Sequence, residues 1–282
     1  MVQSALQAVR RKKLIYTVTA GRTGTQYLAR LLALAPGVAS FHEPDPSFRQ
    51  VMRAAIQDPG IARVFFLQLK FPHMAAAPGA SYAETSHLFC KGFFVPLLQL
   101  GMRPGLVFLR RPPREVAMSL LARDTVPART PMGNAYVFRP DDANVLPLPG
   151  WERLTDYQLC FWYALAIERR QRRYADFARM LGLPMFDTTA AELNEFHRFT
   201  AMLDSLGLPA APEPQLERNH ARLSAERHNA NQEHPVAILD ADRQEEEVWN
   251  RITWSEPQLR ARVIERYGAG NSEVRRRKVR AA

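Results

Sequence analysis

The stretch KLIYTVTAGRTGTQYLARLL, residues 13–32, limits the folds open to this chain more than any other. A run rich in β-branched residues stops at Gly21, and after Gly24 an apolar stripe of helical spacing begins: Tyr27, Leu28, Leu31, Leu32 and Leu34. Pro36 and Gly37 end it. A strand that turns through glycines into a helix aims several backbone N–H groups and the positive end of the helix at one point, which suits a phosphate or a sulfate. Gly21 and Gly24 allow the tight turn and the close approach of an anion. Arg22 adds a permanent charge with a planar fork of donors, and Thr23, Thr25 and Gln26 add side-chain donors.

The rest of the chain repeats the alternation. VASFHEPDP (38–46) reads as a short strand with a proline-set turn, ASYAETSHLFC (80–90) and PGLVFLRR (104–111) as further strands, and LPMFDT (183–188) as the last. Helices are expected over 47–70 with a break at DPG, over PPREVAMSLLAR (112–123), from the capping-box sequence TDYQ (155–158) to Gly182, over 190–206, and near 243–266. Residues 123–150, with five prolines and little periodicity, read as a long functional or disordered loop. Strands alternating with helices imply one α/β domain with a mostly parallel central sheet flanked by helices.

Charge and cysteine content narrow the function. The net charge of +10 sits mostly at the two ends: Arg10, Arg11, Lys12 and Lys13 carry +4, the last ten residues another +4, and the body only +2. Residues 1–13 are expected as a basic extension and 267–282 as a basic disordered tail, so no nucleic-acid partner is expected. Cys90 and Cys160 lie in apolar surroundings with no metal-ligand spacing, which suits buried thiols in a reducing cytoplasm. No stretch reaches the roughly 20 apolar residues of a membrane span, and no apolar segment of signal type precedes the basic cluster. The oligomeric state is left open.

The loop departs from the nucleotide-binding pattern G-x-x-x-x-G-K-S/T, because Thr25 stands where lysine would follow the second glycine. Where a magnesium-dependent phosphate enzyme would carry an aspartate at a neighbouring strand end, LVFLRR presents Arg110 and Arg111. The expectation is a ligand with two separated anionic ends and no metal between them.

TAGRTGTQYL is similar to the 5′-phosphosulfate loop of the cytosolic-type sulfotransferases: a basic residue, Ser or Thr, Gly, Thr, two residues, Leu. RRPPREVAMS resembles the family's second motif, Arg-x-Pro, Lys or Arg, Asp or Glu, Val-Ala-x-Ser, with Arg111 and Ser119 at its ends. CFWYALAIERRQRRY (160–174) resembles the long helix that follows in bacterial members. The likeness covers roughly residues 14–207, with arginine for the commoner lysine at 22 and Gln26 for a commoner threonine.

The resemblance implies a P-loop-type fold, with one sulfotransferase domain over 14–266. It implies transfer of the sulfuryl group of 3′-phosphoadenosine 5′-phosphosulfate to a small-molecule, natural-product or glycolipid acceptor, leaving adenosine 3′,5′-bisphosphate, without metal. Gly21, Arg22, Thr23, Gly24, Thr25 and Gln26 would cradle the phosphosulfate, with Arg22 as the main transition-state donor. Arg111 and Ser119 would hold the 3′-phosphate. The family's C-terminal Arg-Lys-Gly segment has no clear counterpart; residues 222–235 are a candidate for its role or a solvated loop. A P-loop kinase or NTPase would explain the fold without the absent lysine or the arginines. An adenylate- or nucleic-acid-binding module would explain only the charge.

A base for the acceptor hydroxyl is expected at the strand ends. Glu43 is the first choice, by resemblance to bacterial carbohydrate and lipid sulfotransferases, with His42 beside it and His87 in reserve; Glu84 shares the second strand end. Each has a structural alternative: a partner for a loop arginine for Glu43, a packed turn for His42, a satisfied core histidine for His87. The 45–80 and 123–150 segments, with Phe48, Phe65, Phe66, Tyr136 and Phe138, are expected to shape the acceptor site.

Overall fold

The computed structural model describes residues 2–226 and 237–268. Its sheet has five strands, β1 (Lys13–Val18), β2 (Val38–Phe41), β3 (Ser81–Glu84), β4 (Gly105–Arg110) and β5 (Met185–Thr189), in the order β2-β3-β1-β4-β5. Every pairing is parallel, with Tyr16 opposite Glu84, Val18 opposite Phe108 and Arg110 opposite Thr189. The expected α/β class is therefore observed. All carboxyl ends open along one edge. There the chain leaves β1 toward β2 on one side and later crosses to β4 on the other, the place where open α/β sheets bind ligands.

The helices are α1 (Val2–Arg10), α2 (Thr25–Leu32), α3 (Met52–Gln57), α4 (Pro59–Phe65), α5 (Phe71–Ala76), α6 (Phe94–Gln99), α7 (Pro113–Leu121), α8 (Pro131–Tyr136), α9 (Asp156–Met180), α10 (Phe196–Ser205), α11 (Glu213–Ala225) and α12 (Ala241–Ile252). A further helical stretch covers residues 259–268. None is long and apolar enough to cross a membrane. Strand alternation sends Leu14, Tyr16 and Val18 into one core and Ile15 into the other. The first core packs the sheet against α1, α3–α7 and α9; the second holds α2, α10 and α11.

Four regions differ from the sequence expectation. The basic N-terminus is not a solvated extension: Ala5 and Val9, one helical turn apart, are buried, α1 packs on α5, and Lys12 Nζ donates to the carbonyls of Ala77 and Gly79. An apolar pair at helical spacing outweighs the adjacent charges, whose heads stay in water. The proline-rich stretch 123–150 is a packed strap. Val126, Val137, Phe138, Leu146 and Leu148 are buried, Trp162 Nε1 donates to Leu146 O at 2.9 Å, and Arg53 pairs with Asp142 at 2.8 Å. Helix α11 lies between the helices expected over 190–206 and near 243–266, where the sequence predicts none; Leu216, His220 and Leu223 provide its buried face. The C-terminal tail expected from 267 starts with a docked residue, since Tyr267 donates to Glu168 at 2.7 Å; residues 269–282 lie outside the described residues.

Candidate active site

The loop after β1 turns through Gly21, Arg22 and Gly24, all at positive φ (83°, 59° and 96°). Glycine is required twice here. A Cβ on Gly24 would stand 2.9 Å from Ala190 Cβ, and one on Gly21 would stand 3.0 Å from the His87 ring. Arg22 holds a left-handed conformation that is costly for a side-chain-bearing residue, a strain concentrated at functional sites. No side chain caps α2, so the N–H groups of its first turn face the sheet edge with the positive helix end. Behind the loop, Thr19 Oγ1 and Thr23 Oγ1 are 2.6 Å apart, Tyr163 of α9 donates to Ala20 O at 2.7 Å, and Gln171 of α9 donates to Val18 O at 2.7 Å.

In front of the loop lies a cleft of about 850 Å³, lined among others by Arg22, Thr23, Gly24, Thr25, Gln26 and Arg111. That is within the size range of small-molecule sites. The two sequence motifs meet here. Arg22 Nε donates to Ser119 Oγ at 3.1 Å, and Arg111 Nη1 donates to Arg22 O at 2.6 Å. Ser119 is fully buried and orients Arg22 from behind rather than lining the cleft. Arg111 is part-exposed and also pairs with Glu115, one turn along α7, at 3.0 Å.

Arg110 corrects the expectation of an arginine pair for a second anion. Its guanidinium donates to Asp187 at 2.7 Å, to Glu168 at 2.9 Å and to Gln171 at 2.8 Å. Burial opposes the charge, but Asp187 and Glu168 hold the guanidinium protonated, well above its usual range. Both arginines border the cleft, but the Arg110 guanidinium is engaged by Asp187 of β5 and by Glu168 and Gln171 of α9, whereas Arg111 is part-exposed and pairs, among the described residues, only with Glu115 and the Arg22 carbonyl.

The other wall comes from the ends of β2 and β3. His42 lines the cleft, and its Nδ1 lies 2.9 Å from Thr85 O. A carbonyl can only accept, so Nδ1 carries the proton and Nε2 is the acceptor. Glu43, at φ 47°, places Oε1 3.4 Å from His87 Nε2 and 3.5 Å from Ser86 Oγ. His87 Nδ1 is 2.7 Å from Lys91 Nζ, and its ring stacks on Tyr136 at 6.0 Å. Burial first, then the charges of Lys91, His42 and Arg22, push His87 well below the usual histidine range, so it is neutral at physiological pH.

Glu84 stands apart from this group. Fully buried, it accepts from Lys70 Nζ and Tyr82 OH, both at 2.9 Å, and Lys70 also donates to Pro46 O at 2.7 Å. Burial raises the Glu84 carboxyl and lowers the Lys70 amine. The pair braces the turn that carries His42 and Glu43.

Phe48, Phe65, Phe66 and Phe138 are core residues, not an acceptor surface, since burial claims their large apolar area. Tyr136 alone of that set is part-exposed, with Arg49 stacked over it at 4.9 Å. Sequence reasoning missed Thr189, Ala190 and Ala191, which line the cleft after β5; their place at the end of a parallel strand is the available signal. It also missed Lys91, Tyr163 and Gln171, for which no local pattern exists. Of residues 222–235, only 222–226 are described: they end α11, and Arg30 pairs with Glu226 at 2.6 Å. No protein-family model and no curated protein matches the chain.

Proposed function

We propose that the chain is a sulfotransferase that moves the sulfuryl group of 3′-phosphoadenosine 5′-phosphosulfate to an acceptor hydroxyl. The observation that supports this most is the closure of the two motifs on one cleft: Arg22 and the uncapped start of α2 on one side, Arg111 beside them, and the His42 imidazole opposite, next in sequence to Glu43. Arg22 and the loop N–H groups face the place where negative charge grows on the bridging oxygen of the departing nucleotide. Arginine keeps its proton, so Arg22 acts by charge and hydrogen bonding alone. Arg111 holds the 3′-phosphate, and Ser119 contributes by fixing Arg22.

Transfer forms a bond between the acceptor oxygen and sulfur, breaks the bond from sulfur to the bridging oxygen, and delivers the acceptor proton to Glu43. The Glu43 carboxylate is partly accessible, whereas both ring nitrogens of His87 are engaged. A second reading gives the base role to His42, because it lines the cleft with Nδ1 tied to Thr85 O and Nε2 left as an acceptor. Part-exposed Tyr136 beside His87 suits a small-molecule or glycolipid acceptor with an apolar portion. Among the described residues no helix is long and apolar enough to cross a membrane, and a cytoplasmic site of action is part of the same proposal.

Metal-free calorimetry with adenosine 3′,5′-bisphosphate against the 5′-monophosphate tests the reading. A strong preference for the bisphosphate in EDTA is the expected result. No preference, or a magnesium requirement, would overturn it, the latter in favour of a P-loop NTPase.

A further inference from the structure

Lys91 is a fully buried lysine that the proposed chemistry has not used. It sits one helical turn after His87 in the turn that follows β3, its N–H donating to Leu88 O at 2.8 Å. Its Nζ is 2.7 Å from His87 Nδ1, 2.6 Å from Tyr136 O and 5.2 Å from the centre of the Tyr163 ring. An ammonium has three donors and no acceptor, and these three neighbours take one each. His87 Nδ1 must then present its lone pair. A neutral imidazole with a lone pair on Nδ1 carries its proton on Nε2, which faces Glu43 Oε1 at 3.4 Å.

We propose that Lys91 is a positioning residue: by donating to Nδ1 it locks His87 in the Nε2–H form, so that the imidazole donates to the Glu43 carboxylate. The consequence for catalysis rests on the reading of Glu43 as base; the locked tautomer does not. The lock keeps His87 from taking the acceptor proton itself and orients the Glu43 carboxylate through the Nε2–H donor. Tyr136 completes it by accepting from Lys91 through its carbonyl while its ring covers the imidazole.

Ionisation supports the geometry. Burial lowers the Lys91 ammonium to about 7, with Cys90 and Glu43 favouring the charge and Arg53 of α3 and Arg170 of α9 opposing it. Tyr163 of α9, its own hydroxyl pushed far up by burial, stays neutral beside it. His87 also faces His42 and Arg22. Below that value the ammonium holds the lock; above it the amine gains a lone pair, and the hold on Nδ1 loosens.

The test is long-range nitrogen–proton correlation spectroscopy of the imidazole rings in the full-length chain, at a pH below that value and again above it. His87 is assigned through its backbone. Expected in the wild type at the lower pH is a neutral ring protonated on Nε2. Lys91→Arg keeps that form, and Lys91→Met converts it to a tautomer mixture or to Nδ1–H. A wild-type ring protonated on Nδ1 or on both nitrogens would overturn the proposal, as would an unchanged Nε2–H ring in folded Lys91→Met. Should Lys91→Met not fold, the wild-type spectrum decides alone. In sulfuryl transfer, Lys91→Met lowers kcat by about 10- to 100-fold, the usual cost of losing an outer partner of a functional histidine, and leaves KM for the nucleotide unchanged. A wild-type chain with the locked ring and no transferase activity would defeat the sulfotransferase reading while leaving the lock in place.

Discussion

The two walls of the cleft are built on opposite plans. The loop wall centres on one segment, residues 21–26, in which backbone N–H groups, a helix end and Arg22 converge, with Arg111 added from the end of β4. The opposite wall is assembled from the ends of β2 and β3, the turn carrying Lys91 and the strap at Tyr136. Its groups are tied in pairs, and each group's protonation depends on the next. A local wall tolerates change elsewhere in the chain, whereas an assembled wall fails when any contributor moves.

Substitutions can break or sharpen that contrast. The largest effect is expected from Glu43→Gln, which removes the base: kcat falls about 100- to 10,000-fold while calorimetric affinity for adenosine 3′,5′-bisphosphate holds. Retained turnover in Glu43→Gln, with loss in His42→Asn, would move the base role one residue back and shorten the assembled wall to a single imidazole. Next comes Arg22→Ala, for which steady-state kinetics should show roughly a 100- to 1000-fold loss in kcat. An equal loss of binding with turnover intact at saturation would mean that the loop wall serves affinity rather than the transition state.

Smaller effects separate affinity from turnover. Arg111→Ala should weaken the bisphosphate by about 10- to 100-fold, the worth of one charge-assisted hydrogen bond, and leave the 5′-monophosphate nearly unchanged. Calorimetry with both ligands reads the difference. The smallest change is expected from Glu115→Gln, which frees Arg111 from an exposed ion pair worth under about 1 kcal/mol and tightens the bisphosphate no more than about 5-fold. Weaker binding in Glu115→Gln would show that the carboxylate orients Arg111 instead of competing for it.

Legibility in the sequence followed the same division. The strand, the glycine turn and the helix of residues 13–32 are consecutive, so period and turn chemistry reveal them without tertiary knowledge. The capping box of Thr155 and Gln158 reads as directly, and α9 starts there. Arg110 and Arg111 show where this stops. They are identical, adjacent in sequence and both at the cleft, yet the Arg110 guanidinium is spent on Asp187, Glu168 and Gln171 while Arg111 carries only an exposed pair with Glu115 and a bond to the Arg22 carbonyl. Composition misled at α1 and α11, where charge and prolines hid the few apolar residues that dock each helix.

The sequence by itself determined a parallel α/β fold and the glycine loop at its strand ends, because hydrophobic period, glycine placement and a helix start act over a few neighbouring residues. Only the tertiary structure decided which ionisable groups face the ligand and in what protonation state. Lys91, His87, Glu43 and Tyr136 influence one another through burial and through contacts between residues up to 49 positions apart in a chain of 282 residues. Desolvation and hydrogen-bond direction are properties of that packed arrangement.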